Sequence, residues 1–257
     1  MSKEKGSSKG TSEKKKQCIK EVKVTNQFKK MMSEALEATR KVLDQRQNDL
    51  SEKGWSNEKQ EEFYQIFGVK DSAVITIDSE EEKKKAKAAD PINPMDPYIE
   101  KRNITAYIFM QESVDRLINI CDRISVESDT ENNDSILHGN FLNTTNLNKG
   151  SASVPANQTL GLNIDRYNKI LRINIYQNFI GKPLMGFESQ TSTLCHELSH
   201  FYRSGDNGIF GGMGTIDMSK KGRERLYYEY ANELIDTSSQ YVFKNSYNIE
   251  KYFELVL

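Results

Sequence analysis

Apolar residues recur at helical spacing from Val22 to about Leu50, at Val24, Phe28, Met31, Met32, Ala35, Leu36, Ala38, Val42 and Leu43. This period predicts one amphipathic helix. Ser51–Trp55 breaks it, and a second short helix, Asn57–Phe67, closes on Gly68 as a C-cap. Ala73–Ile77 is rich in β-formers and reads as a short strand. Three prolines fall within residues 91–97, so 80–97 reads as an exposed linker. The next helix is expected from about Tyr98 to Ile124, with Ile104, Ile108, Val114, Leu117, Ile118, Cys121 and Ile124 as its buried stripe. Residues 125–158 are polar and predict irregular structure. Leu160–Ile164 and Ile170–Tyr176 alternate apolar and polar positions and predict a β-hairpin. Lys182–Gly186 reads as a turn, a helix begins near Glu188, and a long helix spans about Arg223–Phe243, with a last short one after Asn248.

Composition narrows the choice. The chain has 257 residues, 36% hydrophobic and 28% charged, which is polar for a globular protein. Lys plus Arg number 36 against 37 Asp plus Glu, so no global basic field exists for nucleic acid. No apolar run approaches the roughly 18 residues of a membrane span. Residues 1–20 hold seven lysines against two glutamates with Gly and Ser interleaved, which predicts a disordered basic tail. No apolar h-region follows it, so a Sec signal peptide is not expected. The expectation is synthesis in the cytoplasm, with export, where it occurs, by a non-Sec route. The rest, 21–257, is expected to form the functional domain, helical over 21–126 and chemically active over 159–257. Three cysteines, Cys18, Cys121 and Cys195, cannot all pair within one chain and suit a reducing compartment.

Histidine is scarce, with His138, His196 and His200 only. The last two belong to Cys195-His-Glu-Leu-Ser-His200, an H-E-x-x-H sequence. Four residues apart on a helix, two imidazoles share a face and can bind one metal ion through neutral nitrogen. The intervening Glu197 reaches the water side of such an ion, where it can act as general base. Zinc requires a third protein ligand and an open position. Asp217, Asp206 and Glu233 are the candidates, and spacing with residue type leaves all three open. Among the remaining residues, His138 reads as a solvated loop side chain and Cys195 as a buried helix residue. Trp55, Phe63, Tyr64 and Phe67 read as core. Tyr227, Tyr228 and Tyr230 mark a helix face near the site, read first as packing.

Leu194-Cys-His-Glu-Leu-Ser-His-Phe201 followed by Gly214-Thr-Ile-Asp217 resembles the aspzincin metallopeptidases, the deuterolysin and lysine-specific metallo-endopeptidase group, whose pattern is HExxH then GTxD. Tyr64–Gly68, Ile173–Phe179, Gly186–Ser189 and Asp236–Phe243 are similar to further segments of that family. The resemblance is strong over 170–217 and weaker over the rest of 22–250. It implies that His196, His200 and Asp217 bind one zinc ion, that Glu197 is the general base, and that Thr215 helps fix the loop presenting Asp217. Three departures stand out. About Ser204–Met213 forms an insertion. Lys220 stands where the family has an oxyanion-stabilising tyrosine, leaving Tyr227, Tyr228, Tyr241 or the lysine itself for that role, with Tyr228 the candidate catalytic hydroxyl. Ser238 replaces the acid that attracts substrate lysine in some members, so lysine specificity is not carried over.

The expectation is therefore an α+β, mainly α, zincin-like domain with a small β-hairpin or sheet beside the active-site helix. Its expected activity is zinc-dependent endopeptidase action on protein or peptide substrates, by metal-activated water with a Glu general base. A strand edge beside the site could take substrate in extended form. Bacterial family members without a signal point to toxins or effectors, with secretion machinery or an inhibitor protein as partner. The alternatives are a gluzincin- or metzincin-like site with a different third ligand, and an inactive HExxH interaction domain.

Overall fold

The computed structural model describes residues 23–76, 103–127, 136–144, 150–154, 171–201, 203–204, 210–220 and 226–257. The basic segment 1–20, the stretch 80–97, Leu160–Ile164 and Asp206 lie outside them.

The first two helices follow their caps and stripes. Helix α1 is Asn26–Asp49, with the Thr25 hydroxyl accepting from the Phe28 N–H at 3.1 Å. Helix α2 is Asn57–Phe67, started by Ser56 and closed by Gly68 at φ 65°. A Cβ at Gly68 would lie 2.1 Å from the Ile235 carbonyl oxygen, so the residue must be glycine on two counts. Strand β1 (Val74–Thr76) pairs antiparallel with β2 (Asn103–Thr105), and helix α3 (Ala106–Cys121) leaves β2 directly, capped by Thr105. The helix expected from Tyr98 thus starts later, because Asn103–Thr105 pairs with β1. Its buried face is also rotated: Ile108 is 38% exposed, while Phe109, Met110 and Ile120 are buried. Tyr64, expected in the core, is likewise exposed, whereas Phe63 and Phe67 are fully buried.

The stretch expected to be irregular contributes three strands, β3 (Leu137–His138), β4 (Phe141–Asn143) and β5 (Ala152–Ser153). With β6 (Ile173–Ile175) they form a sheet of order β3-β4-β6-β5. The β4–β6 pair is parallel, and the β3–β4 and β5–β6 pairs are antiparallel. His138 sits in β3 and is buried, against the solvated reading. Burial and the nearby Lys29 charge both push its pKa down. β6 lies within the expected hairpin, and β5 and β4 are its described partners.

Helix α4 (Gln177–Ile180) and the turn after it lead into α5 (Gln190–His200), which carries the HExxH residues. Every α5 residue except His200 is buried, so this is the central helix of the molecule. It packs on α1, α3 and the last helix, α7 (Ser246–Tyr252). Leu194, Cys195, Leu198 and Phe201 face the common core, and burying a leucine there is worth roughly 1.5–3 kcal/mol. Strands β7 (Arg203–Ser204) and β8 (Phe210–Gly211) form a small antiparallel pair at the expected insertion. Helix α6 (Tyr227–Asp236) is followed by a 3₁₀ turn, Gln240–Phe243. The single long helix expected there is broken: α6 butts against Gly68, and Ser238 turns away at φ 50°.

Arg46 ties the two ends of the fold together. It is almost fully buried, its Nε donates to the Tyr252 carbonyl at 2.6 Å, and its guanidinium lies 4.1 Å over the Tyr252 ring. Asp49 and Glu62 pair with it at 3.1 and 2.8 Å, and Lys59 links the same two acids. Charge and hydrogen bonds are thus matched where an unpaired guanidinium would be costly. Among the described residues no helix is long and apolar enough to cross a membrane.

Candidate metal centre

Helix α5 starts with a reciprocal cap. The Ser189 hydroxyl accepts from the Ser192 N–H at 3.0 Å, and the Ser192 hydroxyl accepts from the Ser189 N–H at 2.9 Å. The cap fixes the rotation of the helix, and with it the direction of His196 and His200 one turn apart. Their ring centres are 4.8 Å from each other.

Each ring is held from behind. The Thr215 carbonyl accepts from His200 Nδ1 at 3.0 Å, and a carbonyl can only accept, so Nδ1 carries the proton and Nε2 offers a lone pair. His196 Nδ1 lies 3.0 Å from Glu250 Oε2, and this carboxylate selects the same tautomer for a neutral ring. Glu250 is buried and also accepts from the Ser192 hydroxyl at 3.3 Å. Burial works against its charge, but His196, Lys182 and Ser192 hold its pKa below the ordinary value.

The third acid arrives on a loop whose path is set by glycine. After Phe201 the chain returns through Gly212, where a Cβ would stand 2.4 Å from the Phe201 carbonyl oxygen and 2.5 Å from that of Leu198. Gly214 follows at φ 68°. The Ser199 carbonyl accepts from the N–H groups of both Met213 and Thr215 at 3.1 Å, and the Ser199 and Thr215 hydroxyls meet at 2.6 Å. Thr215 therefore locks this loop onto the last turn of α5. Ile216 bridges to the segment before α7, and the Ser246 hydroxyl donates to Asp217 Oδ1 at 2.5 Å.

Asp217 Oδ1 consequently lies 3.1 Å from His196 Nε2 and 3.4 Å from His200 Nε2. One ligand atom from each of His196, His200 and Asp217 lies within 4.8 Å of the others, so the three could hold a metal ion. The two Asp217–imidazole spacings fit the chemistry. Ligands about 2.0–2.2 Å from a tetrahedral zinc ion stand roughly 3.3–3.5 Å from one another. Without an ion, burial opposes protonation of His196, but Asp217 and Glu250 outweigh it and push its pKa up to about 10. Burial likewise opposes the Asp217 charge, yet the two imidazoles hold its carboxyl well below the carboxylate range.

Glu197 faces the same space. It is buried, its Oε2 has no hydrogen-bond partner among the described residues, and burial pushes its pKa up. An unpaired buried carboxylate oxygen is costly unless something else occupies the space it faces. That space is a cavity of about 730 Å³, lined by His196, Glu197, Asp217, Glu250, Tyr228, Tyr247, Lys182, Glu188 and Gly150–Ala152, among others. Lys182 Nζ donates to the Thr193 hydroxyl at 2.8 Å.

The other sequence candidates separate. Glu233 is paired with Lys220 at 2.7 Å, and both side chains are about half exposed and absent from the cavity lining. Tyr241 is exposed and also stands outside that lining. Tyr228 lines the cavity, and Tyr227 stacks behind Tyr247. Sequence reasoning missed Ser246, Tyr247 and Glu250. A signal existed: Ser246, Ile249, Glu250 and Phe253 share one helical face, which puts a serine and a glutamate on an otherwise apolar stripe.

No family model and no curated protein matches the sequence. Among solved structures, the fold is similar to a zinc peptidase from Grifola frondosa, at 12% identity over 90% of this chain and 96% of that one, with a TM-score of 0.44.

Proposed function

We propose that the chain is a zinc-dependent endopeptidase of the aspzincin kind, with His196, His200 and Asp217 as metal ligands and Glu197 as general base. One observation carries the reading: both imidazoles have Nδ1 engaged from behind and Nε2 aimed at the same Asp217 oxygen, 3.1 and 3.4 Å away. A zinc ion held there supplies Lewis acidity and makes a bound water acidic near neutral pH. The residues supply the rest. Glu250 and the Thr215 carbonyl keep each ring in the ligating tautomer, and Ser246 orients the acid. Glu197, with its free Oε2, receives the water proton and returns it to the leaving amine.

Substrate enters in extended form along β5, one of the two edge strands of the four-stranded sheet and the one beside the cavity. In the β5–β6 register Ser151 and Ser153 turn their backbone groups toward β6, so those of Ala152 face outward beside the cavity. Ala152 is thus the residue to pair with a peptide backbone, and Tyr228, which lines the same cavity, is in reach of the bound chain.

The test is metal analysis of the purified protein coupled to cleavage of a peptide library, with Glu197→Gln alongside. The wild type is expected to hold one zinc ion and cleave, and Glu197→Gln to hold zinc and not cleave. Undiminished cleavage by Glu197→Gln defeats the mechanism.

A further inference from the structure

We propose that Tyr247 is the oxyanion donor of this centre: its phenol hydrogen-bonds the negative oxygen that the scissile carbonyl becomes. The inference rests on the peptidase reading above.

Tyr247 is the second residue of α7, between Ser246, which holds Asp217, and Glu250, which holds His196. Its ring packs edge-on against the His196 ring with 4.8 Å between centres, and it lines the same cavity as Glu197 and Asp217. The ring is fixed from two further sides. Tyr227 stacks on it at 5.0 Å with planes 6° apart, and Tyr228 meets it edge-on at 4.8 Å. Such a ring does not need to reorganise when charge develops beside it, which is what makes a donor effective. Its hydroxyl makes no hydrogen bond among the described residues.

The rival donors are placed less well. Lys220 is tied to Glu233 outside the cavity, and Tyr241 is exposed. Tyr227 presents its face to Tyr247 rather than its hydroxyl to the cavity. Tyr228 does line the cavity, but the ring seated against His196 is that of Tyr247, which Tyr228 meets edge-on.

The water oxygen bonds to the carbonyl carbon while the π pair moves onto the carbonyl oxygen, and Glu197 takes the water proton. Tyr247 donates a hydrogen bond to that oxygen and retains its own proton. On collapse the pair returns, the C–N bond breaks, and the amine leaves with the proton from Glu197.

Tyr247→Phe removes the hydroxyl alone, and Tyr241→Phe, at an exposed tyrosine outside the cavity lining, is the control. The zinc-loaded proteins are compared for zinc content, for kcat and KM on a cleaved peptide, and for affinity toward a phosphinic peptide, whose tetrahedral oxyanion imitates the intermediate. Tyr247→Phe is expected to lower kcat by about 100-fold, and phosphinic peptide affinity by a similar factor, with KM and zinc content unchanged. Tyr241→Phe should change kcat by less than about threefold. An active wild type with unchanged kcat and phosphinic affinity in Tyr247→Phe overturns the inference alone. So does a loss confined to KM or zinc content. A zinc-loaded wild type that neither cleaves peptides nor binds the phosphinic peptide overturns the peptidase reading and the inference together.

Discussion

Replacing Glu250 with glutamine keeps the size of the side chain and an acceptor oxygen toward His196, and removes only the charge. In the native site Glu250 Oε2 and His196 Nδ1 are 3.0 Å apart, and the carboxylate is 3% exposed. When His196 gives its Nε2 lone pair to a dication, the Nδ1 proton becomes more acidic and the bond to a carboxylate strengthens. A charge-assisted hydrogen bond is roughly twice as strong as a neutral one, a difference of about 1–1.5 kcal/mol. Glu250→Gln is therefore expected to weaken zinc binding about tenfold. Glu250→Ala also leaves a buried N–H without an acceptor and frees the ring to rotate. Its loss is expected to reach about 100-fold, the upper end for such supporting groups. The assay is competition for zinc against a chromophoric chelator at fixed pH, with circular dichroism to check that each variant is folded. Folded variants that bind zinc as tightly as the wild type would refute the claim that Glu250 orients and polarises His196.

Further outcomes follow from the same geometry. Asp217→Asn is expected to lower zinc content in dialysed protein, and full occupancy would move the third ligand elsewhere. Gly212→Ala places a methyl group against two carbonyl oxygens at 2.4 and 2.5 Å; it is expected to cost about 1–3 kcal/mol in thermal unfolding and to loosen zinc binding with it. Burial opposes the Glu62 charge, but Arg46 and Lys59 win and hold its pKa below the ordinary value. It therefore contributes stability above its unfolded pKa that is lost as pH falls, and Glu62→Gln should flatten the acid limb of a stability-against-pH curve. Burial pushes the Cys121 thiol up to about 12 and Cys195 well above its ordinary value. In a Cys18→Ser background the native protein should resist thiol reagents until it unfolds.

Helices α1, α2 and α5 were legible because their information is local. Thr25, Ser56 and Ser189 are good N-caps, Gly68 is a C-cap, and the α1 stripe is long enough to show its period. The strands were not, because alternation over two or three residues carries no signal. β3, β4 and β5 exist through pairing with each other and with β6, inside a stretch whose Asn and Thr content favours turns. The break after Asp236 was equally hidden. Nothing in Thr237-Ser-Ser239 forbids a helix, yet Ser238 takes φ 50° just where the Ile235 carbonyl meets Gly68, more than 160 residues earlier. The candidate centre divides the same way. His196, Glu197 and His200 declare themselves by spacing on one helix. Spacing left Asp217 level with Asp206 and Glu233, and family likeness ranked it first; the glycine-shaped return through Gly212 and Gly214 brings it to the imidazoles. Tyr247 and Glu250 join it only through packing of α7 on α5.

Arg46 and the Tyr252 carbonyl it holds are 206 residues apart in the chain. Ser246, Tyr247 and Glu250 all ride on α7, against Asp217 and His196. Whatever seats α7 on α1 therefore sets the surroundings of the candidate centre. Arg46, which grips the last residue of α7 from a helix at the other end of the sequence, is in this sense a remote adjuster of the two imidazoles' environment.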